Sequence, residues 1–563
     1  MDIKQQKLFS NENVEIDNIC KIKKRVVFKT YNQNQEYLLP KNIEECISEG
    51  HICRLINTII DKMDFSSIEN HYKGGGTSAY HPRMLLKVWI LGFINHSYSC
   101  RILAKQTREN LTFMWISGNQ TPDFRTLNNF RKGIGKDIKI IFKEVVIQGI
   151  SLGIISGKDI FIDHTKKEAN ANKHKVVWRK QVERQSKKID DELDKLFEYI
   201  DEVNDNEDNI LGNKDLPEQI RNGFDSEKIK EIVKKINEKI KNNSLEKDKG
   251  NDIKKKIRRS AELVNKKEEY RVKKEILNGR NSYSKTDISA VAMMMKDKIS
   301  IKPGYNEGVA VENGFVINFI LSDSCGDVVS FIPLMNGVIH NLGKTPETVT
   351  ADGAYGNEET HSYMEQQGIG NYLKYNTYYR ESKKNPKNKK FILSDFIYNS
   401  ENDSFTCKQG NTLILSKEQD DIIKSGYVKK VKVYNISEDK CSVCPIKDKC
   451  TTGKSRSLTV SWEAERLKAI ARENLNSEKG KELRSRRANE VESIFGDQKL
   501  NNKVRRYLLR GLEKVNIEAG LYYISHNIKK INQILKKKKN TDAQNKSKIL
   551  KLMSSLNTFM YFC

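Results

Sequence analysis

The chain has 563 residues, 37% of them hydrophobic and 31% charged, enough for several domains with much solvated surface. Lysine and arginine total 100 against 74 acidic residues, a net charge of +26 that attracts polyanions, nucleic acid first among them. No stretch approaches the eighteen or so uninterrupted apolar residues of a membrane-spanning helix, so no membrane role is expected. The start, MDIKQQKLFSNENVEID, has no secretory pattern, and ten scattered cysteines suit a reducing cytoplasm.

Residues 1–76 read as a polar N-terminal segment that ends in the linker-like run Gly74-Gly75-Gly76. From 77 to 155 the pattern is helical, with Pro82 in a first turn ahead of Met84, Leu85, Leu86, Val88 and Trp89. Thr121-Pro122-Asp123 predicts another helix start, a capping hydroxyl with proline at the first helical position. The helix it opens, FRTLNNFRK, would expose Arg125, Asn128, Asn129, Arg131 and Lys132. A helix-turn-helix with its last member in a major groove fits this pattern, and so does a plain bundle with a solvated face. In the first reading Arg125 and Arg131 contact nucleic acid.

Residues 156–375 carry strand signals. Ile160-Phe161-Ile162 predicts a buried strand ending at Asp163. Between 180 and 280 the composition turns to Lys, Glu and Asp, with Ile189, Leu193, Leu196, Ile200 and Val203 at heptad spacing. Ile229, Ile232, Ile236 and Ile240 repeat it, and Ile253, Ile257 and Val264 continue it weakly, so an inserted helical arm is expected. Two β-rich runs within 304–321 flank Asn313-Gly314, a strong hairpin-turn signal. The run from Glu347 to Ala351 leads as a strand into Asp352. Residues 376–460 read as a basic loop and a cysteine-rich insertion, 461–540 as basic helices, and 541–563 as a tail. Together these predict an α/β fold, a mixed sheet with helices packed on it.

Asp163 and Asp352 hold equivalent places, each just past a predicted strand, where the sheet fixes a side chain facing an open cleft. Two such carboxylates can share magnesium, which prefers oxygen ligands. A pair of metal ions about 3.5–4 Å apart stabilises the attacking and leaving oxygens of phosphoryl transfer. A third acid is found in RSRRANEVESIFGDQK, where Lys499 follows Glu492 by seven residues, close to two helical turns. Glu490 is a rival, but the residue seven beyond it is Asp497.

The stretches FIDHTKKEANANKHKVVWRK, KPGYNEGVAVENGFVINFIL, TVTADGAYG and VESIFGDQK…RRYLLRGLEKVNIEAGLYYISHN resemble the DDE transposases of bacterial insertion sequences. The nearest branch is the family numbered eleven eighty-two in the IS-four-like group, and the likeness extends to YHPRMLLKVWILGF…DFRTLNNFR. The resemblance implies a ribonuclease-H-like core behind a helical N-terminal DNA-binding domain. It implies metal-dependent cleavage at transposon ends and strand transfer into a target. Asp163, Asp352 and Glu492 match its three acids and would hold Mg2+ or Mn2+; Lys499 matches the lysine seven positions beyond its third acid. The wider group's arginine four residues before the glutamate is Ala488 here. Arg487 stands five before instead, where an ideal helix would turn it off the common face; Lys499, and after it Arg487, are expected to contact DNA phosphate. The implied partners are double-stranded DNA, as terminal inverted repeats and target, and further copies of the chain; the implied place is the bacterial cytoplasm, at the nucleoid.

Cys441 and Cys444, with Cys450 nearby and Cys407 upstream, form a four-thiolate set suited to tetrahedral zinc. No phosphate loop of the GxxxxGK[ST] kind and no HExxH pair is present, so neither a nucleotide cofactor nor a zinc hydrolase is expected. Arg505, Arg506 and Arg510, with Lys503 and Tyr507, are expected to contact the DNA backbone from a helix. A catalytically inactive DNA-binding relic and a ribonuclease-H-like nuclease are the competing readings.

Overall fold

Ile160, Phe161 and Ile162 are fully buried at the centre of a six-stranded mixed sheet, as their unbroken apolar run requires of a strand covered on both faces. The computed structural model describes residues 42–72, 78–206, 247–382, 391–423 and 425–559, with 234, 237, 238 and 241. The run Gly74-Gly75-Gly76 and the arm residues Ile229, Ile232, Ile236 and Ile240 lie outside the described residues, as does most of the N-terminal segment. The chain divides into two units, Met1–Cys46 and Ile47–Cys563. Of the first, the described part holds one 3-10 turn, Ile43–Cys46. The second carries every described strand.

Its strands are β1 (Asp159–Glu168), β2 (Val176–Trp178), β3 (Ser282–Ser284), β4 (Val291–Met294), β5 (Ile301–Glu312), β6 (Phe315–Ser322), β7 (Thr348–Gly356) and β8 (Gly370–Tyr375), with five more in a second sheet. The main sheet runs β4-β5-β1-β7-β8, with β6 also paired to β5. β1 is antiparallel to β5 and parallel to β7, which is parallel to β8. β5 and β6 form the expected hairpin, and Asn313 and Gly314 adopt the positive φ values, 55° and 69°, that its tight turn demands.

Helices Pro82–Ile94 and Asp137–Ser151 pack with the long C-terminal helix Leu512–Phe559, which also lies on β6. The helix at FRTLNNFRK begins at Phe124, later than the expected start at Pro122. Its cap is Asp123, whose carboxylate accepts from the Thr126 N–H at 2.7 Å, and this leaves Pro122 outside.

The described arm consists of Arg179–Asn206 and Lys247–Leu277, joined at its base by the β2–β3 ribbon. Ion pairs Glu192–Arg259 (2.8 Å) and Asp190–Lys267 (2.7 Å) set the two helices antiparallel, with Ile189, Leu193, Ile253 and Ile257 buried.

Residues expected to form a loop and cysteine cluster build the second sheet. Its strands are β9 (Ile397–Asn399), β10 (Ser404–Thr406), β11 (Thr412–Ile422), β12 (Val428–Asn435) and β13 (Ser457–Val460), all antiparallel, in the order β13-β12-β11-β10-β9. Its core is small, centred on Phe405, Leu413, Tyr434 and Leu458, and most of β11 faces solvent, so the apolar alternation that marks a strand is weak. Among the described residues no helix is long and apolar enough to cross a membrane.

Candidate active site

β1 and β7 pair in parallel up to Phe161 and Thr350. Asp163 and Asp352 each stand two residues beyond that last pair (161 to 163, 350 to 352), so the period-two pleat places them in register on one face. Both aspartates lie inside strands rather than past their ends. β1 continues because its pairing with β5 extends from Asp163–Val309 to Glu168–Gly304. At Asp352 the strand persists, but its ladder to β8 is irregular between Ala351 and Gly356.

The helix Glu478–Arg487 crosses this sheet and delivers two arginines to it. Arg486 Nη1 is 3.0 Å from Asp159. Arg487 Nη2 is 3.2 Å from Asp163 and 3.7 Å from Asp352, so one nitrogen serves both carboxylates. Burial pushes the Asp163 carboxyl up to about 6, and the Asp352 charge adds to this, against the pull of Arg487 and the His164 N–H.

The same helix passes into a π turn, Ala488–Glu492, and then a second, Asp497–Asn501. Glu490 accepts a hydrogen bond from the Gly314 N–H at 2.6 Å and so is tied to the β5–β6 turn. Glu492 is exposed, and its side chain makes no hydrogen bond or ion pair among the described residues. Lys499 points back at β1, where its ammonium donates to Thr165 Oγ1 and, at 3.0 Å, to the Lys166 carbonyl. Burial lowers its pKa to about 8. Among the described residues no three His, Cys, Asp or Glu side chains are grouped so as to hold a metal ion. The structure thus brings Asp163 and Asp352 together and leaves Glu492 apart.

His164 is a structural neighbour of Asp163. Its Nδ1 meets the Tyr355 hydroxyl at 2.5 Å and its Nε2 the Ser330 hydroxyl at 2.7 Å, and burial holds it down to about 4. Gly308 sits opposite in the β5 register, where a Cβ would fall 2.2 Å from His164 Nε2. Tyr355, Ser330 and the Arg487 bridge escaped sequence reasoning. The glycine inside an otherwise β-rich run was the available sign of a close approach.

Arg505, Arg506 and Arg510 are not helical. After Lys503, at φ 55°, the chain runs without helix to Gly511, at φ 84°. The Arg505 side chain donates to the Lys499 carbonyl, Arg506 to Ala169 and Arg510 to Asn170, and Arg506 forms an isolated bridge with Glu168 of β1. All three are exposed, whereas Tyr507 is fully buried beneath Lys167, 4.0 Å from its ring centre, and cannot meet DNA. The helix is broken because the Glu518 carboxylate takes the N–H groups of Leu508 and Leu509. Arg125 is exposed, but Arg131 is buried against Trp89.

Cys407, Cys441, Cys444 and Cys450 line one cavity beside β10 and the Glu438–Ser442 helix. Four soft thiols suit zinc by donor chemistry, yet they are not arranged as a metal-holding group.

Two family profiles match the chain, a Transposase DDE domain over residues 406–532 and a Transposase domain (DUF772) over 41–133. Both are transposase domains. They support a DDE transposase, and the mixed sheet fits the core of one. The DDE match contains Arg487, Glu492 and Lys499, while Asp163 and Asp352 precede it; the DUF772 match contains Arg125 and Arg131. Searches of curated proteins and of solved structures returned no match.

Proposed function

We propose that the chain nicks DNA at the ends of a bacterial insertion sequence and joins them to target DNA, as a member of the family numbered eleven eighty-two in the IS-four-like group. The observation that carries this reading is the in-register pair Asp163 and Asp352 facing one guanidinium. Two hard oxygen donors fit magnesium or manganese, and Glu492 is the acid that the adjoining helix would add. Divalent metal bound there would neutralise the attacking and leaving oxygens of an in-line displacement.

The chain's own groups do the rest. Arg487 sets a guanidinium between the two carboxylates, where its charge offsets their mutual repulsion. Lys499, held over β1, supplies a cation at the strand that carries Asp163 and would serve there as a partner for a DNA phosphate. Arg505, Arg506 and Arg510 retain guanidinium nitrogens on the exposed surface for backbone phosphates. The partners are transposon-end and target duplexes and further copies of the chain. A zinc ion at Cys407, Cys441, Cys444 and Cys450 would require those side chains to close around it, and metal analysis of the purified protein decides that point.

Asp163→Asn preserves size but removes the charge that a metal needs, so nicking and joining of end-bearing DNA should be lost while DNA binding survives. Asp352→Asn and Glu492→Gln should behave alike, and Glu490→Gln should stay active. Cleavage by Asp163→Asn at the unaltered rate sinks the assignment. An unaltered protein that binds ends without cutting them, with either metal, is a relic; one that cuts without joining is a nuclease.

A further inference from the structure

Arg131 is a poor candidate for reading a major groove. Its side chain is 5% exposed, with the guanidinium carbon 4.6 Å from the centre of the Trp89 ring. Among the described residues only Nη2 is engaged, donating to Asn128 Oδ1 at 3.2 Å, and Nε and Nη1 are buried without a hydrogen-bond partner. Glu518 is the nearby acid, but its carboxylate is taken by the Leu508 and Leu509 N–H groups. A buried guanidinium with two idle donors is unfavourable unless something completes it.

Arg131 forms part of the wall of a groove of about 440 Å³ that also includes Tyr98, Arg101, Arg125, Asn128 and Leu508. Arg101 and Arg125 are exposed and flank the Phe124 ring, 5.1 and 5.7 Å from its centre. Three arginines therefore line one space, and no carboxylate is among its lining residues. Planar forks of this kind match the oxygens of a phosphate. Leu508 links the groove to the non-helical segment whose Arg506 bridges Glu168 on β1, the strand that bears Asp163.

We propose that this groove holds a backbone phosphate of duplex DNA, with Arg131 as its floor and Arg101 and Arg125 as its rim. The proposal rests on the DNA reading above and specifies how the Phe124–Gly133 helix serves it. The helix clamps the backbone and leaves sequence to be read elsewhere.

The test uses the full-length protein and a duplex of about 40 base pairs carrying the element's end, with affinity measured against salt. Each phosphate contact contributes about −0.9 to the slope of log affinity on log salt, so Arg131→Gln should flatten the slope by about 0.9. A scan of duplexes, each with one neutral methylphosphonate, should show one position that weakens the unaltered protein about tenfold and leaves Arg131→Gln unaffected. Should Arg131→Gln fail to fold by circular dichroism, Arg101→Gln with Arg125→Gln carries the test, with an expected flattening of about 0.9, the share of one phosphate. A folded variant with the unaltered slope and methylphosphonate profile overturns the phosphate site while leaving the DNA reading intact. An unaltered protein with no affinity for the duplex overturns both.

Discussion

Arg487 lies between Asp163 and Asp352 because its helix crosses the sheet just where β1 and β7 end their pairing. Like-charged carboxylates held that close need a cation, and the guanidinium provides one from a rigid element. Buried titratable groups elsewhere have their own consequences. His361, on the Glu358–Gln366 helix, is fully buried, its Nδ1 accepts from Asn371 at 2.8 Å, and burial holds it down to about 4. The folded state therefore resists the proton that the unfolded chain accepts near 6.5. Its stability contribution is complete above that value and is lost as pH falls towards 4, by up to about 1.4 kcal/mol per pH unit. His361→Gln keeps an acceptor for Asn371 but takes up no proton. Urea midpoints at pH 7, 6 and 5 should decline less steeply for the variant than for the unaltered protein, and equal slopes would contradict the assignment. His164, likewise buried and neutral, leaves part of the acid sensitivity in place.

At the scale of elements, the π turn Ala488–Glu492 is decisive. An α-helix advances about 100° per residue, so residues five apart finish roughly 140° from one another. Bonding from i to i+5 widens the turn and so sets Glu492 nearer the face of Arg487 than an unbroken α-helix would, although Glu492 stays exposed and apart from the two aspartates. Deleting Ala488, at the start of the turn, should restore α geometry and swing everything beyond it. Cleavage should fall by about a hundredfold, since displacements of an ångström cost that much in positioned chemistry. Far-ultraviolet circular dichroism should barely change. Undiminished cleavage would show that the bulge has no part in placing Glu492.

Over the whole molecule, the net charge of +26 predicts DNA binding that weakens steeply with salt as condensed counterions are released. The non-helical segment brings Arg505 and Arg506 to the surface beside β1, each using its Nε on a backbone carbonyl. Replacing both by glutamine should flatten the slope of log affinity on log salt by about 1.8. An unchanged slope would move the contacts to other basic surfaces of the molecule.

Chemistry with a local cause was legible in the residues alone. Asn313-Gly314 specified a hairpin because the positive φ of its turn is a property of those two residues, and the run Ile160-Phe161-Ile162 specified a buried strand that leads into Asp163. The buried Ile189, Leu193, Ile253 and Ile257 of the arm were readable for the same reason, and so was the equivalent position of Asp163 and Asp352 on neighbouring strands. Whatever depends on a distant partner emerged only in the folded chain. Glu518 captures two backbone N–H groups and breaks the predicted basic helix, and Trp89 draws Arg131 out of solvent. The π turn carries Arg487 and Glu492 out of ideal helical phase, and the weakly patterned strands of 397–460 become a sheet only when paired. Periodicity and turn chemistry act within a few residues, whereas hydrogen-bond capture, ring stacking and strand pairing join residues far apart along the chain.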